Sequence, residues 1–176
     1  MKRREAIFNF VVLSAGVIAL PSCGQNEVAG IKLKNISLTA GEERLVRRLA
    51  SLIIPKTDFI GAEEVKATEF TLMMVDDCYP PEKQILFKDS LQQFDTMAKD
   101  RFGKPFTECT PQQQHEFLSA MEHKKDIPEN VTRFYETTKA FSIQAFTSSK
   151  EYLTGVAGYK MVPGSNFKGC VPVKKA

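Results

Sequence analysis

Between Glu82 and Phe102 the apolar residues Phe87, Leu91, Phe94, Ala98 and Phe102 recur at close to the 3.6-residue helical period. Gly103 follows, and glycine at that place supplies the left-handed residue that closes a helix. A helix with one apolar stripe has to bury it against another element. No stretch of the chain sustains the apolar–polar alternation of a half-buried strand, so those elements are other helices.

Helix-start signals recur on both sides of this segment. Thr39-Ala40-Gly41-Glu42 has the spacing of a capping box, with Leu45, Val46, Leu49, Leu52 and Ile53 following at helical intervals and Pro55 ending the run. Arg44, Arg47 and Arg48 fall on the other side and read as a solvated face. A second helix is expected from about Ala62 to Cys78, ahead of Pro80-Pro81. Thr110-Pro111-Gln112-Gln113 starts a further helix, with proline at the first helical position, where its missing N–H costs nothing. A long helix is expected from about Glu129 to Phe146, and Ser148-Ser149-Lys150-Glu151 reads as a third capping box opening a short one. The fold class is therefore all-α, a single compact domain of five or six helices. From Gly155 onward Gly, Pro and Lys appear without periodicity, which predicts an irregular tail.

The N-terminus reads as an address. Met1-Lys2-Arg3-Arg4 precedes an apolar run from Ile7 to Leu20, then Leu20-Pro21-Ser22-Cys23. A basic region, a short apolar region and a small residue before the end make a secretory signal. The run is shorter than the roughly 20 apolar residues that span a bilayer. Leu-x-Ser-Cys has the form of a lipobox, in which the Cys23 thiol is acylated and becomes the new N-terminus. Arg3-Arg4 leaves two export routes open, a twin-arginine signal for folded proteins or an ordinary basic n-region. The chain thus divides into a signal over 1–22, a lipidated tether over 23–37, a helical domain over 38–165 and an extended tail over 166–176. The location expected is the cell envelope, as a periplasm-facing lipoprotein.

Without the signal the chain is nearly neutral, so it lacks the electrostatic footprint of a nucleic-acid binder. Cys78, Cys109 and Cys170 remain beside Cys23, an odd number for an oxidising compartment. One internal disulfide and one leftover thiol are possible, as is no disulfide. His115 and His123 are eight residues apart, about 12 Å along a helix, too far to share a metal. The acids Glu63-Glu64 suit a helix N-terminus; Asp76-Asp77 sit near a C-terminus, where exposed solvation is the default reading. No dinucleotide fingerprint, P-loop, nucleophile elbow, Cys-x-x-Cys or haem-attachment motif occurs. No catalytic, cofactor-binding or metal-binding residue is assigned, and an exported helical domain of this kind is expected to bind something.

An ordered set of segments resembles the gluconate 2-dehydrogenase subunit 3 family. It comprises Leu49-Ala50-Ser51-Leu52-Ile53-Ile54-Pro55 with Gly61-Ala62, then Phe87 through Phe102-Gly103-Lys104-Pro105-Phe106, and Thr110-Pro111-Gln112-Gln113-Gln114. It ends in Phe146-Thr147-Ser148-Ser149-Lys150-Glu151-Tyr152, Gly158-Tyr159 and Pro163-Gly164. The resemblance implies a small accessory subunit without catalysis of its own. In such complexes a large subunit of the glucose–methanol–choline type holds FAD and oxidises a sugar or polyol, and a cytochrome c subunit takes the electrons. The small subunit binds the large one, assists its folding or export, and typically carries the twin-arginine signal for both. The alternative is a lipid-anchored helical binding or scaffolding lipoprotein with no oxidoreductase partner.

The partner surface is expected among Phe141, Phe146, Tyr152, Tyr159 and Phe167, aromatic residues toward the C-terminus that could anchor on another protein. They could equally close the helical core. Cys170 is the best candidate for an intersubunit disulfide, and Cys78 could instead pair with Cys109 or Cys170.

Overall fold

The computed structural model describes residues 30–123 and 127–159. Among the described residues there are six α-helices and no strand. They are α1 (Ala40–Ile53), α2 (Ala67–Cys78), α3 (Pro81–Phe102), α4 (Pro111–Glu122), α5 (Glu129–Thr147) and α6 (Lys150–Gly155), with a 3₁₀ turn at Phe106–Glu108 between α3 and α4. Helix α5 is the hub: it packs on α1, α2 and α3, and most extensively on α2.

The stripe on α3 turns inward as its period requires, with Phe87, Leu91, Phe94 and Ala98 buried and Phe102 half-buried. Phe94 is the centre of the core. Its ring meets Phe106 at 5.0 Å, Phe117 at 5.0 Å and Phe134 at 5.4 Å, all edge to face. These neighbours come from the 3₁₀ turn, α4 and α5, so one side chain ties four elements together. Full burial of each such ring stabilises by about 1.5–3 kcal/mol. Gly103 has φ 74° and closes α3 as expected. Thr39 and Thr110 both form reciprocal capping boxes, with Glu42 and Gln113.

Four expectations are corrected. The helix expected from Ala62 starts at Ala67 instead. Residues 62–66 form a separate turn that ends at Lys66, φ 53°, and the Ala67 N–H donates to Ala62 O at 2.9 Å. The reason is packing. Ala62 and Ala67 belong to one buried cluster with Ala50 and Ala145. Five residues of continuous helix would rotate the two alanines about 140° apart and expose one of them. The third capping box does not form, and a simple N-cap one residue later replaces it, because the residue at its third helical position is Tyr152, which cannot bond back as Glu would. Ser148 ends α5, its hydroxyl donating to Gln144 O at 2.6 Å, and Ser149 caps α6 by accepting from the Tyr152 N–H at 3.2 Å.

The tether is the third correction. Its last residues do not hang free, because Ile36 lies in the main core beside Leu38 of the domain, and Ile31 and Leu33 pack against it. Asp76 holds this strap. Buried at the end of α2, its carboxylate accepts from the N–H groups of Lys34 (2.7 Å), Asn35 (2.8 Å) and Ile36 (2.8 Å). Solvation was the default for this acid; three backbone donors, one buried and two partly buried, replace the water. Burial pushes the Asp76 carboxyl up, but the three donors outweigh it and hold it below the usual carboxylate value. Glu43 adds a fourth tie, accepting from the Ile31 N–H at 3.1 Å. Asp77 remains exposed, 3.5 Å from the Lys34 ammonium.

The fourth concerns the arginines. Arg44 is exposed as expected, but Arg47 pairs with buried Glu43 at 2.5 Å. Arg48 donates from Nε and Nη2 to Gln114 Oε1 at 3.1 and 2.6 Å. Gln114 is fully buried and passes the link on, its Nε2 donating to Phe106 O at 2.8 Å.

Candidate partner surface

The loop after α1 is closed by one backbone bond, Ala62 N–H to Ile54 O at 3.0 Å. Only glycine fits at position 61. A Cβ there would stand 2.8 Å from Lys56 N and 3.0 Å from Lys56 Cα, a backbone approach no side chain tolerates. The Gly61 N–H donates to Glu64 Oε2 at 3.1 Å, and Glu64 also pairs with Lys56 across the loop mouth. The hydrogen bond from Lys56 and the nearby backbone donors lower the Glu64 carboxyl. At the tip, Phe59 and Thr57 exchange two bonds of 3.3 Å.

Phe59 meets the C-terminal end of the helical core. Its ring lies edge to face on Phe146 of α5 at 6.0 Å, and Phe146 lies on Tyr152 of α6 at 5.4 Å. Gly155 passes beneath Phe59, where even a Cβ would sit 3.8 Å from its ring. Past α6, Gly158 takes φ 62° and the Tyr159 N–H reaches back to Leu153 O at 2.7 Å, a left-handed close that fixes where Tyr159 emerges. The result is an aromatic corner, with Phe59 37 % exposed, Tyr159 54 % and Val156 60 %. Exposed apolar groups held on fixed backbone are what a partner protein can desolvate.

Of the residues expected at a partner surface, the structure brings Phe146 and Tyr152 together and places Tyr159 just beyond α6. Phe141 lies elsewhere, half-buried between Phe70 (6.4 Å) and Tyr79 (6.0 Å), where it closes the α2–α5 contact. Phe167 and Cys170 lie outside the described residues, as do Cys23, Arg3 and Arg4. Phe59 was missed, although the Pro55–Gly61 spacing around it was visible.

Beyond Phe141 the surface continues as a groove of about 390 Å³ between α3 and α5, lined by Tyr79, Lys83, Leu86, Phe87, Arg133 and Phe134 among others. Cys78 is exposed and free at the end of α2. Cys109 is buried and also free, so these two do not pair with each other. Burial pushes the Cys109 thiol up, away from the reactive thiolate. His115 and His123 are both exposed. Among the described residues no cluster of His, Cys, Asp and Glu has the makings of a metal site, and no helix is long and apolar enough to cross a membrane.

Comparison with known families gives a match to the model described as gluconate 2-dehydrogenase subunit 3, over residues 40–164. No curated protein and no solved structure matches.

Proposed function

The chain belongs to the gluconate 2-dehydrogenase subunit 3 family, and from that premise we propose that it binds, helps to fold and export, and anchors an FAD-dependent sugar or polyol dehydrogenase in the cell envelope. The family is that of a subunit of a dehydrogenase complex, so an accessory role is the starting point. The observation that carries the finer reading is the extent of the match, which runs from the start of α1 past the last described residue, Tyr159. It therefore takes in the Pro55–Gly61 loop, the end of α5 and α6, the elements that form the aromatic corner.

In this reading the partner is a large subunit of glucose–methanol–choline type, which holds FAD, accompanied by a cytochrome c subunit with haem c. This chain contributes no catalytic group; it contributes surface and address. The rings of Phe59, Phe146 and Tyr152, with Tyr159, dock on the large subunit. Arg3 and Arg4 belong to a twin-arginine signal that exports the pair already folded, and lipidated Cys23 holds it at the membrane, facing the periplasm. The disulfide candidates are Cys78, exposed and free, and Cys170.

Affinity purification of the tagged chain from detergent-solubilised membranes tests this. Co-elution of a protein with flavin absorbance is expected. Elution of the chain alone at every salt and detergent condition would favour the second reading, a lipid-anchored binding protein without an oxidoreductase partner. Replacing Arg3 and Arg4 by lysine should leave both subunits in the cytoplasm; unchanged secretion would remove the twin-arginine part alone.

A further inference from the structure

Many hydroxyls in these helices bond back along their own helix, but three fully buried ones do not. Ser90 donates to Leu86 O at 2.6 Å, Thr96 to Gln92 O at 2.9 Å, Thr132 to Pro128 O at 3.3 Å and Thr147 to Ile143 O at 2.9 Å. Each bonds back four residues along its own helix, the usual outlet for such a group. Thr71 on α2 and Thr138 and Ser142 on α5 do not. All three are fully buried, and none of their hydroxyls has a hydrogen-bond partner.

All three lie on α2 and α5, the helix pair that packs most extensively. Helices α2 and α5 run antiparallel: Ala67 at the start of α2 shares a packed cluster with Ala145 near the end of α5, whereas Tyr79 past the end of α2 lines a groove with Asn130 to Thr137 of α5. Thr71 lies one turn after Ala67 on the same face of α2. Ser142 lies about one turn before Ala145, and Thr138 one turn before that. By this register Thr71 falls opposite the stretch of α5 that carries Thr138 and Ser142, which are themselves about 6 Å apart along the helix axis.

We propose that Thr71, Thr138 and Ser142 together hold one buried water molecule between α2 and α5. Three uncharged hydroxyls offer no carboxylate for a cation and no positive charge for an anion. Each hydroxyl is both a donor and an acceptor, so from two helices they can supply the roughly two to four hydrogen bonds an internal water makes. The water links the two helices by hydrogen bonds where their own backbones cannot, and it fixes the register of the pair whose outer edge presents Phe70 and Phe141. This inference is independent of the proposed function.

The test is a crystal structure of the protein, purified with whatever subunit accompanies it, at a resolution where ordered water is visible. A water peak within about 2.7–3.2 Å of at least two of the three hydroxyls is expected. Hydroxyls turned onto their own helix carbonyls, with no peak between them, would overturn the proposal. Melting temperatures give a second readout. Thr138→Val should lower Tm by stripping the water of one partner. The triple variant Thr71→Val, Thr138→Val, Ser142→Ala should lose less than the three single losses added together, because it removes the need for the water altogether. Strictly additive losses, or single variants without effect, would count against it.

Discussion

Phe94 and Phe146 are both ringed by aromatic neighbours, at 5.0–5.4 Å around Phe94 and 5.4–6.0 Å around Phe146. The first cluster joins four elements and is dry throughout; the second joins a loop, the end of α5 and α6, and leaves Phe59 37 % exposed. The contacts are of one kind, so their surroundings decide what they do. Around Phe94 every face of the ring has a protein neighbour, and the gain goes into the fold. Around Phe146 part of the apolar area still faces water, and that gain remains to be realised against another surface.

The sharpest way to test the contrast is truncation at the centre of each cluster. Phe94→Ala should cost about 3–5 kcal/mol, because a ring-sized cavity opens among three other rings that are held by separate helices. Urea denaturation followed by circular dichroism would show it as a large fall in midpoint or as failure to fold. A loss no greater than that at an exposed phenylalanine would break the comparison.

Asp76 extends the comparison to a polar group. Asp76→Ala should cost about 1.5–3 kcal/mol, since three backbone donors, one buried and two partly buried, lose a charged acceptor. The sign of the pH dependence follows from the lowered carboxyl. The stabilisation is complete above the usual carboxylate range, around pH 4, and is lost as pH falls through the lower folded-state value. The Tm gap between the wild type and the variant should therefore narrow on acidification below about pH 4 and stay constant above it.

How much of this was legible differs between the two regions for a physical reason. The Phe94 cluster was visible because periodicity reports which face of a helix is apolar, and a 22-residue helix gives the period room to show. Both capping boxes were visible because their partners lie three residues apart. Asp76 was not, since its partners are backbone N–H groups 40–42 residues earlier, which carry no side-chain signature. Gln114 and Arg48 are 66 residues apart and equally silent. At the aromatic corner the family resemblance marked Gly61 and Gly158, and the structure supplies the causes: a backbone contact at one and a left-handed turn at the other. It could not separate Phe146 from Phe141, because their difference lies in which neighbouring helix covers each ring.

Gly61 connects stability to the corner. Gly61→Ala should cost about 1–3 kcal/mol, because the new Cβ meets the backbone of Lys56, which cannot swing aside. Relief requires opening the loop, and that moves Phe59 away from Phe146. The variant should thus lose partner capture more steeply than its modest stability loss explains. Titrating the purified large subunit against wild type and variant at a temperature where both are folded separates the two effects.

The smallest effect on stability should accompany the largest on binding. Phe59→Ser with Tyr159→Ser removes the exposed part of the corner and leaves Phe146 on Tyr152. Substitution at exposed Tyr159 should change stability by no more than about 0.5 kcal/mol, and loss of the Phe59 contact with Phe146 by about 0.5–1.5 kcal/mol. On a docked surface, truncating two central aromatics costs about 2 kcal/mol or more, roughly thirtyfold in affinity. The double variant should therefore stay folded with a modest fall in melting temperature and yet fail to retain the flavoprotein through a salt wash. If it retained the flavoprotein while Leu86→Glu in the α3–α5 groove released it, docking would run through the groove, and the exposed rings of the corner would be surface without a partner. Loss of binding in the corner variant alone would establish that the two aromatic clusters divide the work, one holding the fold and the other holding the enzyme.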